Sequence, residues 1–137
     1  MPNGFHGSLE EWQQMEAPFL EIDEALEKFA ADRKMHVEKN YHNWPRRELQ
    51  WVRDGVHRSI SIFQGDPAET CCMAVVAWQD KENERYAANE WLKKSVPWPE
   101  ITDNLQQLLE EAAAILDSWS EKDLKWATTL SPNPWRS

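Results

Sequence analysis

Asp54-Gly55, set between two runs of alternating polarity, constrains this chain more than any other pair of residues. A type I′ turn needs positive φ at both central positions, which Asp and Gly tolerate. Before the pair, Leu49 and Trp51 alternate with Gln50 and Val52. After it, Val56, Ile60 and Ile62 alternate with His57, Ser59 and Ser61. A two-residue connection sets Leu49 opposite Ile60 and Trp51 opposite Arg58, so the apolar halves of both strands share one face. Arg46 to Phe63 is therefore predicted as a β-hairpin. This is a folding signal and carries no chemistry by itself.

The flanks follow from caps, breakers and period. Ser8 to Glu11 fits a capping box that starts a helix, and Pro18 is expected to break or kink it. From Phe19 the helical period resumes, with Phe19, Ile22, Leu26 and Phe29 inward and Glu21, Asp23, Glu24 and Glu27 outward. Met35 to Tyr41 is a candidate strand, ended by Asn43-Trp44-Pro45 because Pro cannot donate to a ladder. Past a turn at Gly65-Asp66-Pro67, the apolar run from Thr70 to Trp78 lacks alternation and reads as a central strand. Asp80 to Asn83 is a further turn by composition. The segment 84–96 has the Ala, Glu and Lys content of a helix. A strand there would complete a meander, with Tyr86, Ala88 and Leu92 on one side, and strand is the preferred reading. Val96-Pro97-Trp98-Pro99 forms a rigid connector. Pro99 to Asp117 is predicted as one long amphipathic helix with Ile101, Leu105, Leu108, Leu109, Ala112, Ile115 and Leu116 on its apolar stripe. Ser120 is expected to cap a short helix through Trp126.

Together these elements predict one domain over 1–137, with residues 1–7 and 131–137 as loose tails. The fold class is α+β: an antiparallel meander of four or five strands, with N- and C-terminal helices packed on one face as a two-layer sandwich. The layout, an acidic first helix included, is similar to that of frataxin, although no strand motif of that family is present. The analogy implies an acidic ridge at Glu21, Asp23, Glu24 and Glu27 that attracts iron; a solvated helix face is the simpler reading.

Charge narrows the partners. The chain of 137 residues carries a net charge of −9. That balance disfavours nucleic acid and anionic membranes as general partners. The centre departs from it: residues 33–58 hold seven bases and three acids, against eight acids and one base in residues 1–32. Either opposite charges meet across the fold, or the basic centre meets an anionic partner. No segment has the form of a signal peptide or a membrane span, and adjacent Cys71 and Cys72 point to opposite sides of a strand. Free thiols and a cytoplasmic location are the expectation. His6, His36, His42 and His57 stand at no metal-binding spacing, and no nucleophile elbow or Gly-rich phosphate loop occurs. No metal and no cofactor is expected.

What remains is aromatic and cationic. Trp51 faces Arg58 across the hairpin, Arg53 is its neighbour, and Trp44, Arg46 and Arg47 lead in. Arginine on tryptophan is a common structural pair. Trp and Arg are also the residues most enriched at binding hot spots. The candidate binding residues are Trp44, Arg46, Arg47, Trp51, Arg53, Arg58 and Trp78. The favoured function is a non-enzymatic binding protein that engages a protein or peptide partner. The alternatives are a small-molecule module with a pocket lined by Trp51, Trp78 and Tyr41, and an enzyme whose site leaves no local motif. Nine tryptophans in a small acidic chain also point to a homodimer through Trp98, Trp135 or an edge strand.

Overall fold

A computed structural model describes residues 7–40 and 45–128. Helix α1 (Leu9–Arg33) opens on the expected box: Ser8 Oγ accepts from the Glu11 amide at 3.1 Å and the Glu11 carboxylate accepts from the Ser8 amide at 3.4 Å. Pro18 does not end it. The helix runs through the proline as one element of 25 residues. The backbone bond lost at Pro18 is offset by buried contacts on both sides, Trp12 before it and Phe19, Ile22, Leu26 and Phe29 after it. Lys34, at φ 58°, closes the helix in the left-handed conformation.

Six strands follow in a simple antiparallel meander: β1 (His36–Asn40), β2 (Arg46–Arg53), β3 (Val56–Gln64), β4 (Thr70–Lys81), β5 (Glu84–Pro97) and β6 (Lys125–Thr128). The hairpin register is the one read from the alternation, with Leu49 opposite Ile60 and Trp51 opposite Arg58. Asp54 and Gly55 hold φ values of 54° and 76°, as a type I′ turn requires. Residues 84–96 lie within β5, a strand despite their helical composition. Pairing with β4 along nearly the full length outweighs a propensity of a few tenths of a kcal/mol per residue.

Three expectations are corrected. The long C-terminal helix is two: α2 (Pro99–Thr102) and α3 (Leu105–Ser118). Asn104 breaks it, since its Nδ2 donates to the Glu100 carbonyl at 3.1 Å while its own backbone leaves the helical region at φ −125° and ψ 18°. The short helix through Trp126 is a single 3-10 turn, Glu121–Asp123, capped by Ser120. Lys125–Thr128 then extends as β6 and pairs with β5 at Arg85, Tyr86 and Ala87. This added strand makes the sheet six-stranded, where four or five strands were expected.

Register divides the sheet side chains between two faces. One carries Leu49, Val56, Ile60, Ile62, Cys71, Met73, Val75 and Ala77, which form a single core with the apolar sides of α1, α2 and α3. Cys72, Ala74 and Val76 are equally buried but point to the other face, outside that core. No described helix is long and apolar enough to cross a membrane.

Candidate functional site

The arginines singled out from the sequence divide between these faces. On the helix-covered face, Arg47 is 1% exposed. It reaches Asp23 of α1 through Nε at 2.7 Å and Nη2 at 3.2 Å, and Glu16 at 3.5 Å. Asp23 therefore turns inward and does not stand on the acidic outer ridge where the sequence placed it. Arg58 lies 2% exposed beneath the end of α3. Its Nε donates to the Leu116 carbonyl at 3.0 Å, its Nη2 to Trp119 at 2.8 Å, and its Nη1 to Arg53 at 2.7 Å and Val56 at 3.2 Å. Burial first, and the neighbouring Arg53 charge second, lower its pKa. Arg53, more exposed, pairs with Asp117 at 2.9 Å. A cationic side chain on the last carbonyls of a helix is a C-cap. Trp51 packs half-buried on the core, and among the described residues no guanidinium lies over its ring.

Arg46 and Trp78 stand on the opposite face, which no described helix covers, with cross-strand neighbours that form two clusters. At one end the His57 ring lies parallel to the Trp78 ring, 3.9 Å between centroids and 3° between planes. The Arg85 guanidinium lies over the same indole at 3.9 Å, 6% exposed as a residue. Arg85 also grips Asp80 through Nε at 2.7 Å and Nη2 at 2.9 Å. Those two bonds hold the Asp80 carboxyl below the ordinary carboxylate range. The third nitrogen, Nη1, is buried and meets no hydrogen-bond acceptor. At the other end Arg46 pairs with Glu48 at 2.8 Å and donates to Ser61 Oγ at 3.4 Å, with its guanidinium 5.6 Å from the Phe63 ring centre. Phe63 meets Trp91 at 5.7 Å, and the Lys94 ammonium lies 5.3 Å from the Trp91 ring.

Between the clusters the residues are small. Ser59 and Ser61 of β3 lie beside Val76 and Ala74 of β4. His57 and Phe63 stand six residues apart on β3, about 20 Å at ~3.3 Å per residue, and the Ser59, Ser61, Ala74 and Val76 side chains between the two clusters are buried, 2–7% exposed. The sequence reading missed Arg85, His57, Phe63 and Trp91. The Asp80–Arg85 pairing becomes readable once 84–96 is taken as a strand, because the Glu82-Asn83 turn sets those two residues opposite each other.

Trp44 and Tyr41 lie outside the described residues, as does Trp135. Trp51 and Trp78 face opposite sides of the sheet, so the pocket expected from them does not form between sheet and helices. Trp98 packs on Phe19, edge to face at 4.9 Å. The outer edge of β5 past Ala87 carries a bulge at Leu92, a positive φ of 53° at Ser95, and Lys93 and Lys94. Bulges and lysines obstruct edge-to-edge pairing. Compared with family models, curated proteins and solved structures, the chain matches none of them.

Proposed function

We propose that this protein is a non-enzymatic binding module that holds a segment of a partner protein against the helix-free face of its sheet. The observation that carries the reading is the pair of aromatic and guanidinium clusters at the two ends of this face, where Trp91 is 43% exposed while the Ser59, Ser61, Ala74 and Val76 row between them is closed to solvent. Rigid aromatic rings and arginines supply most of the energy at protein interfaces. They are most effective when already locked in place, since ordering them then costs little on binding. Trp78 is locked by His57 and Arg85, and Arg85 by Asp80.

A photo-crosslinking amino acid at Asn89, exposed on this face, tests the reading in the native host. Expected is a discrete crosslinked protein that disappears with Trp78→Ala, while the same crosslinker at Gln107, exposed on α3, gives none. Capture from Gln107 alone, or capture from Asn89 that ignores Trp78→Ala, overturns it.

A further inference from the structure

A second site lies on the other side of the molecule, where α1, the β3–β4 turn and the start of α2 border an open cavity of about 420 Å³. Its walls carry two carboxylates from separate elements, Glu11 of α1 and Glu69 of the turn, and among the described residues no lysine, arginine or histidine. Gln64 at the end of β3 contributes an amide whose Nε2 donates to the Ala68 carbonyl at 3.1 Å. That bond fixes the amide orientation and leaves Oε1 buried without a donor. Gln14, also on the wall, is four residues before Pro18, which has no N–H to give its carbonyl. The remaining wall is aromatic, with Trp98 seated edge to face on Phe19 at 86° between planes.

Glu11 Oε1 accepts from Ser8 in the capping box, and no described cation pairs with Glu11 or Glu69. We propose that this cavity binds an alkyl-ammonium group, with the amine held between the Glu11 and Glu69 carboxylates and the alkyl chain laid along Trp98. Ammonium supplies three donors and no acceptor, which suits a wall of carboxylates and a main-chain carbonyl. The indole adds cation–π attraction. The volume falls in the range of small-ligand pockets, roughly 300–1,000 Å³. Charge around the site agrees, since Glu10, Glu11 and Glu16 precede Pro18 on α1 with no base among residues 8–18. This site is independent of the helix-free face, and neither reading depends on the other.

The test titrates the full chain with 1,4-diaminobutane, with Nα-acetyl-lysine amide, and with succinate as the anionic control. The readout is the Trp98 indole N–H resonance, assigned with Trp98→Phe. Glu11→Gln keeps the capping box, because Gln serves at that position, and Glu69→Gln alters an exposed turn residue. Expected is a saturable shift with an amine that weakens about three- to tenfold in each Gln variant, the loss of one partly exposed charge partner. Saturation by the diamine alone identifies a free amine as the ligand, and tighter binding of the lysine amide identifies a lysine side chain of a protein. Both outcomes support the site. No saturation up to about 10 mM, the weak end of specific binding, overturns it. So does an equal response to succinate, or affinity unchanged in both variants.

Discussion

Arg47 of β2 and Asp23 of α1 form a two-point ion pair, 2.7 and 3.2 Å, in a site from which solvent is nearly excluded. Such a pair adds little relative to apolar residues of the same shape, but breaking it strands a buried charge. Arg47→Met leaves Asp23 only the more exposed Lys39 ammonium at 3.5 Å and takes from Glu16 the cation it shares, whereas Asp23→Ala leaves Arg47 still within 3.5 Å of Glu16. Both variants should lose stability, Arg47→Met by about 3–5 kcal/mol and Asp23→Ala by less. Urea unfolding of the two variants beside the parent checks the order. Equal losses would mean that Glu16 does not share the cation.

Arg58 supports a similar forecast with a built-in contrast. Its four carbonyl partners include Leu116 and Trp119, the last turn of α3 and its exit. Arg58→Met should cost about 3 kcal/mol or more, because carbonyls at a buried helix end lose their donor. Arg53→Ala should cost about 0–1 kcal/mol, since the Arg53–Asp117 pair is close to half-exposed. Thermal melts of the single variants separate the two. A cheap Arg58→Met would remove the capping role.

These arginines show where sequence reasoning stops. The register of the hairpin was legible because Asp54-Gly55 admits one turn type, and that turn dictates every pair from Arg46 to Phe63. Opposition of Trp51 and Arg58 followed correctly. The job of Arg58 did not, because it depends on where α3 ends, which Ser118, whose Oγ donates to the Ile115 carbonyl at 2.6 Å, and the Ser120-capped 3-10 turn decide. Arg85 was invisible for a related reason. It meets Trp78 and Asp80 because the Glu82-Asn83 turn fixes the β4–β5 register, and although 84–96 reads as a strand, composition alone bounds that turn only as Asp80 to Asn83 and leaves the register open. Local turn chemistry is written in two residues, whereas a site assembled from three strands is written in the pairing of distant segments.

Pro18 offers a test of the balance struck inside α1. Replacing it with Ala restores an N–H for the Gln14 carbonyl and removes ring crowding, which together favour the helix by about 1–3 kcal/mol. Pro18 also lines the cavity near Trp98, so some packing is lost. We expect Pro18→Ala to raise the melting temperature and to weaken amine binding at that cavity, since the freed carbonyl is recaptured. Calorimetry with the Trp98 titration reads both quantities. A lower melting temperature would show that the ring's packing exceeds the cost of the missing bond.

Thiol chemistry should be silent in the folded chain. Burial, and secondarily the adjacent Cys72, push the Cys71 thiol well above its ordinary pKa. The thiolate is the reactive form. Cys71 should resist iodoacetamide at pH 8 until denaturant is added, as followed by mass spectrometry of its peptide. Modification of Cys71 at a rate independent of denaturant would show that β4 opens freely.

The last prediction concerns acid. The hydrogen bonds from Arg85 place the folded-state pKa of Asp80 below its ordinary value of 3.8. A carboxylate whose folded pKa is depressed adds its full stabilisation above the unfolded value and loses it as pH falls through the folded one. Between about pH 5 and about pH 2 the parent should therefore lose stability faster than Asp80→Asn, and the difference between them should shrink at the acid end. Protonation also frees Arg85 from one of its two anchors, so Trp78, which Arg85 covers, should change its fluorescence over the same interval. Denaturant midpoints across that range, with Trp78→Phe to isolate its emission, measure both. A constant gap between parent and Asp80→Asn would show that the carboxylate contributes shape and no charge, and an emission change that persists in Asp80→Asn would place its cause elsewhere than in this clamp.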